Sequence, residues 1–134
     1  MGRIGLKTPE ETAAFGQKMA LDLPPHSILA LSGDLGAGKT TFVQGLAIGL
    51  GISEPVQSPT FVLLNIYADR LFHFDLYRLK TPADFTRLGF EEYFQGGGIC
   101  AIEWSERIAS ILPPQTLFLH FTHDPSGRIV EVRP

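Results

Sequence analysis

Gly33-Asp34-Leu35-Gly36-Ala37-Gly38-Lys39-Thr40 satisfies every fixed position of G-x-x-x-x-G-K-[ST]. Small residues let successive backbone N–H groups turn inward around phosphate oxygens, and a helix that follows adds the positive end of its dipole. On this reading Lys39 is a solvent-facing point charge that reaches the β and γ phosphates of ATP. The Thr40 hydroxyl ligates Mg2+, and Thr41, at the start of the helix, lies close to the α phosphate. The rival dinucleotide fingerprint fails. Gly36-Ala37-Gly38-Lys39-Thr40-Thr41 has threonine where glycine or alanine is needed, and no acidic residue closes a following strand about twenty residues on.

The flanks agree with that reading. Ile28-Leu29-Ala30-Leu31 is a short apolar run bounded by turn residues, which predicts a buried strand running into the loop. Beyond the loop, Phe42, Leu46 and Leu50, with Val43 and Ala47 beside them, form a helical stripe that stops at Gly51. Upstream, Thr8 reads as the N-cap of another helix, with Pro9 at its first position and Glu11 completing a capping box, and Pro24-Pro25 ends it. The residues before Thr8 are expected to lead straight into this helix.

From Phe61 to Tyr77 two strand-like runs flank Ala68-Asp69-Arg70, a hairpin spacing. In the second run Phe72, Phe74 and Leu76 alternate with His73, Asp75 and Tyr77, so a strand buries the first set and presents the second together. Helical segments are expected at Pro82–Leu88 and Glu91–Phe94, a turn at Gly96-Gly97-Gly98, and a second buried strand at Ile99-Cys100-Ala101-Ile102, ending on Glu103-Trp104. Strands at Thr116–Thr122 and Ile129–Val132 enclose the turn Asp124-Pro125-Ser126-Gly127. The expected fold class is α/β: one P-loop domain over residues 1–134, its mixed sheet parallel at the centre and antiparallel in the hairpins.

Composition narrows the function classes. The 134 residues are 44% hydrophobic and 19% charged, with no run of about eighteen apolar residues that could span a bilayer. Met1-Gly2-Arg3 is followed by neither a signal-peptide core nor an acylation pattern, since Leu6 stands where serine or threonine is required. One cysteine, Cys100, fits a buried strand position in a reducing compartment, so a cytoplasmic setting is expected. A formal charge of −3 argues against gripping nucleic acid by phosphate neutralisation, so any link to RNA is indirect.

A phosphate-binding loop of this kind works with a carboxylate that holds Mg2+ or its water, commonly at the end of a neighbouring buried strand. Two positions fit, Asp75 and Glu103, and periodicity alone does not rank them. His73 shares a face with Asp75, where a hydrogen-bonded structural histidine is the simpler reading. Thr60, in Ser58-Pro59-Thr60-Phe61, lies where a γ-phosphate-sensing switch would sit, and also reads as a plain turn threonine.

With these residues in hand the chain closely resembles the TsaE (YjeE) family, the bacterial ATPase subunit of the machinery that forms threonylcarbamoyladenosine on tRNA. The matching words are Gly33 through Thr41, Ser58-Pro59-Thr60-Phe61, His73-Phe74-Asp75-Leu76-Tyr77-Arg78-Leu79 and Ile102-Glu103-Trp104-Ser105-Glu106. Ser105 departs from the family's frequent proline. The resemblance implies that Glu103 joins Thr40 at the Mg2+ site, that Asp75 is the essential strand-end carboxylate and that Thr60 belongs to a switch-like segment. It implies that Trp104 lies near the nucleotide, and that Thr12 and the Gly127-Arg128 pair approach the adenosine. The implied partners are the two related subunits that transfer threonylcarbamoyl to tRNA, whose cycling this ATPase supports. A non-hydrolytic, nucleotide-dependent binding module is the alternative. A small kinase fits less well, because the chain offers no lid or acceptor-binding segment.

Overall fold

The computed structural model describes residues 2–33, 38–57 and 62–134. Strand β1 (Gly2–Leu6) leads into helix α1 (Pro9–Asp22), strand β2 (Ile28–Gly33) and helix α2 (Lys39–Gly49). Then come β3 (Leu64–Tyr67), β4 (Leu71–Asp75), helix α3 (Pro82–Arg87), β5 (Ile99–Glu103), β6 (Leu117–Asp124) and β7 (Gly127–Arg133). Among the described residues one sheet holds seven strands in the order β1-β7-β6-β2-β5-β4-β3. β2 lies at its centre, parallel to both β5 and β6, and β4 is parallel to β5. The antiparallel pairs are β3 with β4, β6 with β7 and β1 with β7. This is the mixed α/β sheet the sequence predicts.

The inner strands are continuous apolar runs because both their faces are covered. Leu29 and Leu31 of β2 point with Ala101 of β5 into a cluster built on Phe42, Val43 and Leu46 of α2. Ile28 points the other way, joining Phe72, Phe74, Cys100, Ile102 and Phe85 in a second cluster. The same two-sided cover corrects one expectation. His73 is 0% exposed and Asp75 8%, so their side of β4 is not presented to solvent as the alternation suggested; only Tyr77, beyond the strand, is exposed. Cys100 sits in the second cluster as expected, and burial pushes its thiol up to about 12.

α1 and α2 pack through glycines. A Cβ on Gly45 would stand 2.0 Å from the carbonyl oxygen of Ala13, and one on Gly16 2.4 Å from that of Phe42. Gly45→Ala therefore has to push the helices apart, an overpacking cost of about 3 kcal/mol. Thermal unfolding followed by circular dichroism is expected to show Tm lowered by roughly 10 °C; an unchanged Tm would contradict this packing.

Helix starts follow their sequence signals. Thr8 Oγ1 accepts from the Glu11 backbone N–H at 3.1 Å, but Glu11 Oε1 accepts from Lys7 N at 3.3 Å, one residue further back than a strict capping box. The expected helix at Pro82–Leu88 is α3, closed by a complete capping box of Thr81 and Asp84. The segment at Glu91–Phe94 is the 3-10 helix Phe90–Gln95.

Two elements escape the sequence reading. β1 occupies residues expected to lead directly into α1. It is an edge strand held by its backbone ladder to β7, with four of its five residues exposed, so no apolar alternation announces it. A 3-10 helix at Ser105–Ile111 follows Trp104, which turns the chain with φ 60° and ψ 38°. The last hairpin is also longer than expected, with Asp124 paired to Gly127 across Pro125 and Ser126.

Candidate functional site

At the carboxyl ends of the parallel strands, where open α/β sheets hold ligands, a cleft of about 670 Å3 opens. Thr12, Gly38, Lys39, Thr40, Thr41, Asp75, Glu103, Trp104 and Arg128 all line it. Sequence positions 12 and 128 reach it from opposite ends of the chain: α1 lies against α2, and β7 is tied through β6 to β2. Asp34, Leu35, Gly36, Ala37 and Thr60 lie outside the described residues.

The start of α2 has no side-chain cap of its own. Gly38 is the N-cap with φ 103° and ψ 11°, a left-handed conformation that disfavours other residues. It offers no side-chain cap, and the first turn contains no acidic residue. Among the described residues no side-chain cap thus occupies the first N–H groups of α2, and the positive end of its dipole lies at the cleft. The Thr12 side chain stands beside this turn, its Cγ2 3.4 Å from where a Gly38 Cβ would be.

Lys39 departs from its expected exposure. It is only 9% exposed, and its Nζ donates to the Gly33 carbonyl at 2.9 Å and lies 5.8 Å from the centre of the Trp104 ring. Its ammonium is therefore held over the end of β2 by one neutral acceptor, with no ion pair among the described residues. Gly33, with φ 126°, stands where a Cβ would be 1.9 Å from the Phe121 carbonyl oxygen. Only glycine fits that close strand contact, and it fixes the carbonyl that receives Lys39.

Both carboxylates expected from the sequence end adjacent parallel strands. Asp75 and Glu103 are register partners of β4 and β5 and both face the cleft. Asp75 Oδ1 accepts from the Tyr77 backbone N–H at 3.1 Å, and Glu103 Oε2 accepts from His73 Nε2 at 2.6 Å. The two acids are thus anchored differently, one by the turn after its own strand and one by a neighbouring strand. Among the described residues no cluster of three or more His, Cys, Asp or Glu could cage a metal by itself. Two acids that line one cleft with Thr40 and the N-terminus of α2 fit a Mg2+ that would share its coordination with phosphate and water.

Some lining residues were not singled out by sequence reasoning. Lys7, Thr8 and Pro9 reach the cleft, although Thr8 and Pro9 were read only as the cap and first position of a helix and Lys7 carried no role. Tyr77 also lines it and packs edge-on against Trp104, with ring centres 4.9 Å apart, while the Arg107 guanidinium lies 5.4 Å from the Trp104 ring. Tyr77 sat within the His73–Leu79 word but carried no role there.

The strand, glycine turn and helix at the centre of this sheet give the chain a fold of the P-loop NTPase class. The family described as threonylcarbamoyl adenosine biosynthesis protein TsaE matches residues 6–130, and the chain belongs to that family. It is 47% identical over 113 residues to the tRNA threonylcarbamoyladenosine biosynthesis protein TsaE of Treponema pallidum (strain Nichols), covering 83% of this chain and 84% of that protein. It is 46% identical over 112 residues to the protein of the same description from Bacillus subtilis (strain 168), covering 81% of this chain and 70% of the other. The crystal structure of YdiB from Bacillus subtilis superposes with a TM-score of 0.80 at 37% identity, covering 97% of this chain and 81% of that one. No helix among the described residues is long and apolar enough to cross a membrane.

Trp104 is the sole tryptophan, set between Lys39, Tyr77 and Arg107 at the cleft wall. Adding Mg-ADP is expected to change its emission, since phosphates that draw the Lys39 ammonium alter the charge facing the ring. Unchanged emission at saturating nucleotide, with binding shown independently, would separate Trp104 from the site.

Proposed function

We propose that residues 1–134 act as one ATP-hydrolysing P-loop domain that supports threonylcarbamoyladenosine formation on tRNA by cycling a partner transferase complex. The observation that carries this reading is the meeting, in one cleft, of an α2 N-terminus without a side-chain cap, an ammonium with no carboxylate partner among the described residues and two strand-end acids. The family's descriptions supply the pathway.

In this proposal the α2 amides and Lys39 hold the phosphates of ATP or ADP, and Gly33 through Thr41 is the segment that binds them. Lys39 exchanges its bond to the Gly33 carbonyl for phosphate oxygens. Thr40 and Glu103 are the residues that would hold Mg2+, which when bound would neutralise charge on the phosphate oxygens. Asp75, fixed by the Tyr77 N–H, orients the attacking water and accepts its proton, while Thr60 senses the γ phosphate. Thr12 and Arg128 contact the adenosine, and Trp104 closes the wall. Charge developing on the transferring phosphoryl group is met by groups already in place, which is where such sites gain rate.

Turnover is slow in the isolated chain and rises when the two related transferase subunits bind. Contact with tRNA is indirect, in keeping with the net charge of −3, and the setting is cytoplasmic. The test is phosphate release from ATP by the purified chain, alone and with the two partner subunits. Stimulated release supports the proposal. ATP binding without release under either condition would make the chain a non-hydrolytic binding module instead.

A further inference from the structure

His73 is the most deeply buried polar side chain near the cleft, 0% exposed in the middle of β4. It opposes Ala101 of β5 in register, two residues before Glu103. Its Nε2 lies 2.6 Å from Glu103 Oε2. A carboxylate only accepts, so Nε2 carries the hydrogen and donates it. The other ring nitrogen, Nδ1, is buried with no hydrogen-bond partner among the described residues. All the polar bonding seen for this imidazole is therefore spent on one oxygen of one cleft carboxylate. A buried polar atom left without a partner costs about 1–3 kcal/mol. A histidine serving only to fill the core would be better replaced by an apolar residue of similar size.

We infer that His73 is a positioning residue for Glu103: it ties down Oε2 within the sheet and leaves Oε1 as the oxygen offered to a divalent cation beside Thr40. The inference rests on the proposed Mg2+-nucleotide site. Without the histidine the Glu103 side chain, near the end of its strand, turns about its side-chain bonds. With it the carboxylate is held to one rotamer and one face. Outer partners of metal-binding groups act in this way, and their loss typically lowers metal affinity roughly ten- to a hundred-fold.

The test compares His73→Leu, which removes the donor, with His73→Gln, whose side-chain amide N–H can occupy the place of Nε2–H. ADP affinity is measured by calorimetry without metal and then across a Mg2+ titration, with Tm recorded for each variant. For His73→Leu the Mg2+ concentration at half-effect is expected to rise roughly ten-fold, with metal-free ADP affinity unchanged; His73→Gln is expected to restore most of the wild-type dependence. A merely structural role would lower Tm and weaken ADP binding alike with and without metal, and Gln would not rescue it. That pattern, or an unchanged Mg2+ dependence in folded His73→Leu, would overturn the inference.

Glu103→Gln run beside them separates this inference from the reading it rests on. If Glu103→Gln shifts the Mg2+ dependence and His73→Leu does not, the metal site stands and the positioning role falls; if neither shifts it, both fall. Should His73→Leu fail to fold, the wild-type protein labelled with 15N-histidine decides. Adding Mg2+ to the ADP-bound chain is expected to move the His73 Nε2 resonance, and an unmoved resonance at saturating metal would overturn the inference.

Discussion

Lys39→Ala is expected to weaken ATP binding roughly a hundred-fold and to abolish turnover while leaving the fold intact. Truncating one partner of a desolvated, hydrogen-bonded charge pair costs about 3 kcal/mol, which is about two decades in Kd. The fold is expected to survive because, among the described residues, the ammonium's hydrogen-bond partner is one neutral backbone carbonyl, that of Gly33 at 2.9 Å, and Lys39 itself lines the open cleft, where water takes its place. The lysine is more enclosed than the sequence suggested, so a small fall in Tm accompanies the change. Equilibrium dialysis with ATP and a parallel thermal melt check both halves. Undiminished ATP binding by a folded Lys39→Ala would remove the P-loop from the account.

The second large effect separates the two acids. Asp75→Asn is expected to lower kcat by roughly a hundred-fold or more with nucleotide affinity nearly unchanged. An interaction made mainly in the transition state affects rate more than binding. Asparagine keeps a side-chain oxygen for the Tyr77 N–H, so the turn after β4 persists. Glu103→Gln likewise keeps an acceptor for His73 but removes the charge beside the cation. Its signature is a Mg2+ requirement for nucleotide binding raised roughly ten-fold or more. Titrating Mg2+ at fixed ATP in both variants, with hydrolysis measured beside the partner subunits, distinguishes them. Unchanged Mg2+ dependence in Glu103→Gln together with a lost dependence in Asp75→Asn would exchange the two roles.

How much of this was legible in the sequence follows from how each element is stabilised. β2 and β5 announced themselves because a strand covered on both faces is an uninterrupted apolar run, and the glycines fixed where β2 gives way to α2. β1 was silent because its hydrogen bonds to β7 are made by backbone, and backbone pairing leaves no residue pattern. The 3-10 helix at Ser105–Ile111 is too short to display a helical stripe, whereas that at Phe90–Gln95 was read as helical over Glu91–Phe94. The alternation in β4 was read correctly as a strand but wrongly as half-exposed, since a two-period pattern does not tell whether the polar face meets water or another layer.

The cleft shows the same division. Gly38, Lys39, Thr40 and Thr41 were found by local motif, and Asp75 and Glu103 by lying at strand ends. Their adjacency depends on β4 and β5 being neighbours, which sequence order alone does not dictate. Thr12 and Arg128 came only through family resemblance, because they join the cleft by tertiary packing alone. The bond from His73 to Glu103, across 30 residues of chain, left no mark that residue spacing could reveal.

The central claim is that this cleft receives the nucleotide phosphates, and amide chemical-shift mapping on addition of Mg-ADP tests it most directly. The account predicts the largest shifts at Gly38, Lys39, Thr40 and Thr41, with further shifts at Glu103 and Trp104. Saturating nucleotide that left these amides unmoved, or moved only residues around Phe118 and Leu112, which line a different depression, would contradict it.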